Sequence, residues 1–224
     1  MGTMSASVIT ETLAWQGGIS LPYSSLVREV TEFVRDTESE LLFNHSSRVY
    51  CFGALMGARK GMVFDPELLY VGAMFHDLGL TRAHSSMQNR FEVDGANAAV
   101  EFLHQRGIGE QAAHEVWTAI ALHTTPEIPR YMSPVVALTS AGVEMDVLGV
   151  DYADYSIESR SGVVKAFPRS PSFKEDIIEA FYEGIKRKPQ ITFGNVTADV
   201  MADKESAFRP RNFCDVVRMS SWAC

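Results

Sequence analysis

An apolar run that ends in an adjacent histidine and aspartate constrains this chain more than any other feature. Leu68-Leu69-Tyr70-Val71-Gly72-Ala73-Met74-Phe75 leads straight into His76-Asp77-Leu78-Gly79. A dry segment excludes an unpaired carboxylate, because taking that charge out of water costs several kcal/mol or forces its protonation. A divalent cation removes the penalty, so the stretch reads as a buried helix that carries two unlike metal ligands to its end. The competing reading sets His76 against the helix's own terminal carbonyls and leaves Asp77 in water.

Helical periodicity places two more ligand-type residues on apolar faces. A helix is predicted from Glu38 or Ser39 to Lys60, stopped by Gly61, with Leu41, Leu42, His45, Val49, Phe52 and Met56 on its inner face. His45 therefore points inward. Gly53, Ala54, Gly57 and Ala58 thin one side of the same helix and predict a close crossing with another. Arg48, one turn beyond His45, either pairs with an acid or reaches the same cavity. Ser133-Pro134 starts a helix to Leu148 that holds Asp146 and ends at Gly149. Asp65-Pro66 starts the helix of the His76-Asp77 pair, with Asp as cap and Pro where its missing N–H costs nothing, and Gly79 is its expected end. Other helices are predicted over residues 24–36, 90–105, 110–124, 156–167, 173–186 and 192–202, with no strand pattern and no repeat. The expectation is an all-α fold, with residues 22–224 as a single domain behind an irregular arm at 1–21 to which Trp15 lends an anchor.

His45, His76-Asp77 and Asp146, in that order, resemble the ligand set of the HD-domain superfamily of metal-dependent hydrolases. Asn44-His45-Ser46-Ser47-Arg48-Val49, Phe91-Glu92-Val93-Asp94-Gly95, Ile120-Ala121-Leu122-His123 and Ala166-Phe167-Pro168-Arg169 are together similar to its cyanamide hydratase branch, from about residue 41 onward. The resemblance implies an HD-domain helical bundle with a mononuclear metal site at its centre, held by His45, His76, Asp77 and Asp146. It also puts Glu92 and His123 where two-metal members add two histidines. Only one is present, so one metal is expected. That leaves His123 to bond substrate or shuttle a proton, and Glu92 to orient water or substrate. Asp77, Glu92 and His123 are the catalytic candidates, although a helix-start acid favoured by the dipole is the competing reading of Glu92. Relatives in this branch are often dimeric, which makes a homodimer a candidate state.

Imidazole nitrogen combined with carboxylate oxygen suits Zn²⁺, the first choice here, or Fe²⁺, Mn²⁺ or Co²⁺. Open coordination positions hold water, whose pKa a cation lowers from about 15.7 towards about 7, so that metal-bound hydroxide exists at neutral pH. The reaction class is then addition of water to an electrophile. It is either hydration of cyanamide, or a related small nitrile-like compound, to urea or its analogue, or hydrolysis of a nucleotide or other phosphomonoester. A phosphate needs a basic cluster and a small neutral substrate does not. Arg48 is the one cation certain to lie near the ligands, with Arg82, Arg90, Lys165 and Arg169 available from loops and later helices. Two other readings are a non-catalytic HD protein that binds a ligand, and an iron oxygenase with a second metal on Glu92 and His123.

Composition enters through what it excludes. A formal net charge of -8 argues against collecting nucleic-acid phosphates. No apolar run approaches the roughly 20 residues of a membrane span. Three cysteines, Cys51, Cys214 and Cys224, have no metal-ligand spacing and suit a reducing cytoplasm, and the first residues lack the basic and apolar regions of a signal peptide. The partner expected is a small-molecule substrate in the cytoplasm, with neither nucleic acid nor membrane. Near the C-terminus, Phe213 and Val216 are expected to dock on the core.

Overall fold

The computed structural model describes residues 13–14, 20–191, 202–209 and 212–223; the predicted helix at 192–202 falls almost entirely outside them, as does Trp15. Within the arm expected to be irregular, Leu13–Ala14 pairs antiparallel with Ser20–Leu21. A ladder of two residues per strand is too short to show alternation, so no sequence pattern announces it.

Among the described residues, everything else that is regular is helical. Helix α1, Ser25–Thr37, is capped by the Ser24 hydroxyl, which accepts from the Val27 N–H. It turns Val27, Val30 and Val34 inward. Helix α2, Glu40–Lys60, starts at the Ser39 cap and stops at Gly61, whose φ of 63° is left-handed. Helix α3, Pro66–Phe75, begins under the Asp65 carboxylate, which accepts from the N–H groups of Glu67 and Leu68. Helices α4, Phe91–His104, and α5, Glu110–Leu122, pack on each other, and α6, Pro134–Val143, lies along α2. The last turn of that segment, Glu144–Leu148, widens into a π-helix. Helices α7, Ile157–Ala166, α8, Phe173–Ile185, and α9, Phe213–Arg218, follow.

The crossing of α2 and α6 is as close as the small residues predict. A Cβ on Gly53 would lie 2.6 Å from the Leu138 carbonyl oxygen, and one on Gly142 would lie 2.2 Å from that of Val49. The two backbones touch there, which brings the π-turn after α6 against the middle of α2. The core spans α1 to α7, with Val49, Phe52, Leu69, Phe75, Leu103 and Ile120 buried at its centre. A smaller cluster joins α2 to α8 and α9 through Leu42, Phe91, Phe173, Ile177 and Val217. Among the described residues no helix is long and apolar enough to cross a membrane.

Candidate metal centre

Four element ends converge at the centre of this bundle. His45 comes from the second turn of α2, His76 and Asp77 from just past α3, His123 from the C-cap of α5, and Asp146 from the π-turn. Helix α3 stops at Phe75, short of the expected end at Gly79, and a 3₁₀ turn at Leu78–Leu80 follows. The cause is steric. Gly79 passes so near α4 that a Cβ there would lie 1.9 Å from the Phe91 carbonyl oxygen, and the break re-aims Asp77 at the other ligands.

All five side chains are dry: His45, His76, Asp77 and Asp146 are 0% exposed and His123 is 2%. Each histidine is fixed through one ring nitrogen. His45 Nδ1 donates to Asp146 Oδ2 at 2.7 Å, His76 Nδ1 to the Ala73 carbonyl at 2.7 Å, and His123 Nδ1 to the Ile120 carbonyl at 2.6 Å. With Nδ1 carrying the hydrogen, every Nε2 presents a lone pair. The Nε2 atoms of His45 and His76 face each other at 3.1 Å, with Asp77 Oδ2 at 3.6 Å from the first and 3.3 Å from the second. His123 Nε2 lies 3.7 Å from Asp77 Oδ1. Both Asp77 oxygens and His123 Nε2 are buried without a hydrogen-bond partner.

Converging acceptors in a dry cavity repel one another unless a cation sits among them. His45, His76 and Asp77 each offer one ligand atom within 4.8 Å of the others, so together they could hold a divalent metal. Two imidazole nitrogens at about 2.0–2.1 Å from one ion stand roughly 3 Å apart, which the observed 3.1 Å matches. Burial works against charge on His76, yet Asp77 beside it and the Ala73 carbonyl raise its pKa. Burial likewise pushes Asp77 up, but His76, His45 and His123 hold it well below the usual carboxylate range.

Asp146, expected among the metal ligands, is placed differently from the other three. Its carboxylate lies behind His45, on the Nδ1 side. Arg48 clasps it with Nε at 2.8 Å and Nη2 at 2.9 Å, and Arg169 Nη1 reaches Oδ1 at 2.8 Å and the Asp146 carbonyl at 2.8 Å. Burial alone would raise its pKa, but the two guanidinium groups depress it strongly. Asp146 is a permanent anion that orients His45 and stabilises its Nδ1–H. Burial keeps that imidazole uncharged by lowering its pKa. Arg48, which could have reached the cavity, is thus the ion-pair partner of an acid, and its Nη1 is committed to the carbonyls of Phe167 and Pro168, both at 3.0 Å.

A family model matches the part of the chain that carries His45, His76, Asp77 and Asp146. The sequence model of the HD domain fits residues 42–159, more than half of the chain. The chain belongs to the HD domain family. A comparison with curated proteins finds no match. Membership makes a metal-dependent hydrolase the coarse description of this HD protein, consistent with the His-His-Asp cluster.

The two remaining catalytic candidates differ. His123 is inside the site with a free lone pair; burial, reinforced by His76, lowers its pKa to about 4. Glu92 is buried too, but its carboxylate is held by the Arg90 guanidinium and by the Thr124 hydroxyl at 2.6 Å. Burial raises its pKa while those two bonds bring it down, so it stays ionised. Sequence reasoning missed Glu38. This residue closes α1 yet is only 8% exposed, with Oε1 buried and unpartnered; burial first and Asp77 second raise its pKa well above the ordinary value. An acid just before a helix cap reads as a surface residue, and nothing in the chain signals otherwise.

Aromatic rings line the neighbouring space. Phe173 lies 6.1 Å from the His45 ring, and Phe91 lies 5.5 Å from His123 and 5.4 Å from Phe181.

Proposed function

We propose that this HD protein hydrates cyanamide or a related small nitrile-like compound, at a metal held by His45, His76 and Asp77. A divalent cation there, with Zn²⁺ as first choice, would lower the pKa of bound water and so ease the loss of its proton. The observation that carries the reading is the state of the nearby cations. Arg48 and Arg169 are both turned onto Asp146 and Arg90 onto Glu92, while phenylalanine rings flank the histidines. A phosphomonoester needs donors to spare for its oxygens. A small, neutral, linear molecule needs only a closed cavity.

The chain's own groups then have separate tasks. Asp146 holds the His45 tautomer, and the Ala73 carbonyl holds that of His76. His123, uncharged at neutral pH, accepts a proton at Nε2 from the water that adds to the nitrile carbon and returns it to the substrate nitrogen. The isourea so formed tautomerises to urea. Glu92 braces Thr124, the residue after His123, and so acts on its placement.

The test is urea formation from cyanamide by zinc-supplemented protein, beside a generic phosphomonoester and the Asp77→Ala variant. Metal-dependent urea that Asp77→Ala abolishes supports the reading. Phosphate release without urea transfers the site to a phosphohydrolase, and neither product leaves an HD protein that binds its ligand without turning it over.

A further inference from the structure

The tail of the chain reaches the metal centre from behind. Helix α9 buries Val217 against Leu42 and Phe173, whereas Phe213, expected to dock, is 46% exposed. Beyond it, Lys174 Nζ, next to Phe173 on α8, donates to the carbonyls of Arg218 at 3.0 Å and Ser220 at 3.2 Å. This lays the last residues over the π-turn. Trp222, 8% exposed, donates from Nε1 to the Met145 carbonyl at 2.8 Å. Its ring also packs against Arg169, whose guanidinium carbon sits 4.5 Å from the indole centroid and 3.8 Å from that of Phe173.

Resting on the metal-site reading above, we propose that Trp222 is a positioning residue of the metal centre, acting on His45 through Arg169 and Asp146. The chain of contacts is continuous. The indole fixes both the backbone beside Asp146 and the cation that holds its carboxylate, and Asp146 Oδ2 fixes His45 Nδ1 at 2.7 Å. A guanidinium packed against two aromatic rings has less freedom to turn, so its N–H groups stay aimed. Without the indole, Arg169 regains rotamer freedom, the Asp146 carboxylate tilts, and the His45 lone pair leaves the point where those of His76 and Asp77 meet. Groups bonded directly to a metal-ligating histidine, as Asp146 is to His45, set metal affinity by about 10–100-fold in known sites, and Trp222 acts through that group.

The experiment titrates Zn²⁺ into metal-free full-length protein against a competing chelator, for wild type, Trp222→Leu, Trp222→Phe, Arg169→Lys and the Trp222→Leu/Arg169→Lys double variant. Circular dichroism of each sample reports its fold. Trp222→Leu is expected to bind about tenfold more weakly, Trp222→Phe, which restores a ring over Arg169, within about threefold of wild type, and the double variant no worse than Arg169→Lys by more than about twofold. Equal affinity in Trp222→Leu, or full additivity in the double variant, overturns the proposal. Should Trp222→Leu fail to fold, nitrogen NMR of the labelled imidazoles in Trp222→Met, which keeps bulk but removes the aromatic face, decides. Loss of the ring over Arg169 is expected to broaden the His45 Nδ1–H signal, and an unchanged signal overturns the proposal. Absence of Zn²⁺ binding in the wild type would instead sink the metal-site reading, and this inference with it.

Discussion

Single side chains carry the sharpest tests of this site. Asp77→Ala removes the only carboxylate among the three proposed ligands, and is expected to abolish zinc binding and urea formation while circular dichroism stays helical. His123→Ala is expected to keep the metal, measured by zinc content, and to lose about 10²–10⁴-fold in turnover, the range for a general base. Full activity in that variant would remove His123 from the mechanism. Glu38 offers a test by pH. Its folded carboxyl keeps a proton that the unfolded chain has lost above about pH 4.3, so it draws down stability as pH rises through its raised folded pKa. Glu38→Gln is therefore expected to match wild type near pH 4 and to exceed it increasingly towards pH 8 in urea denaturation; a constant offset would refute the assignment. At this scale the sequence was legible where chemistry and burial coincide in one segment, as in His45 and His76-Asp77. The surroundings of Asp146 were not legible, because they depend on which groups face it. Arg48 comes to it from a distant helix and Arg169 from a loop, and no spacing records that meeting.

Elements bring those side chains together through contacts of backbone on backbone. The approach of α2 to α6 leaves no room at Gly142, where a Cβ would stand 2.2 Å from the Val49 carbonyl oxygen. Gly142→Ala is thus expected to lower stability by about 2–3 kcal/mol, measured in denaturant, and to weaken metal binding in the folded fraction, since the π-turn and Asp146 follow directly. A neutral effect would mean that the helices can separate without cost. The small residues on α2 predicted that crossing, and the Asp65-Pro66 and Ser133-Pro134 starts were readable from cap chemistry. The early end of α3 and the π-turn were not. Both arise from the fit of one element against another, Gly79 on α4 and Met145 under Trp222, while the local sequence remains compatible with continuous helix.

For the whole molecule, the centre is where otherwise separate parts of the chain meet: α2, the end of α3, the end of α5 and the π-turn all converge on it. A ligand that binds there and not to the unfolded chain must stabilise the entire bundle, by about 2.7 kcal/mol at a free concentration of about 100 times its Kd. Zn²⁺ is therefore expected to raise the melting temperature of wild type and not of Asp77→Ala, and a chelator to reverse the shift. The helical class and the HD pattern were visible from the first reading, because apolar periodicity and ligand types survive in one dimension. The pairing of Arg48 and Arg169 with Asp146 and of Arg90 with Glu92, on which the argument for a small neutral substrate rests, appeared only in three dimensions. The central claim is that this cluster runs metal-dependent hydration, and the direct measurement is a titration of metal-free protein with Zn²⁺ while urea formation from cyanamide is followed. The account predicts activity that rises from zero and saturates at one metal per chain. Activity in the metal-free protein, or none at saturation, would contradict it.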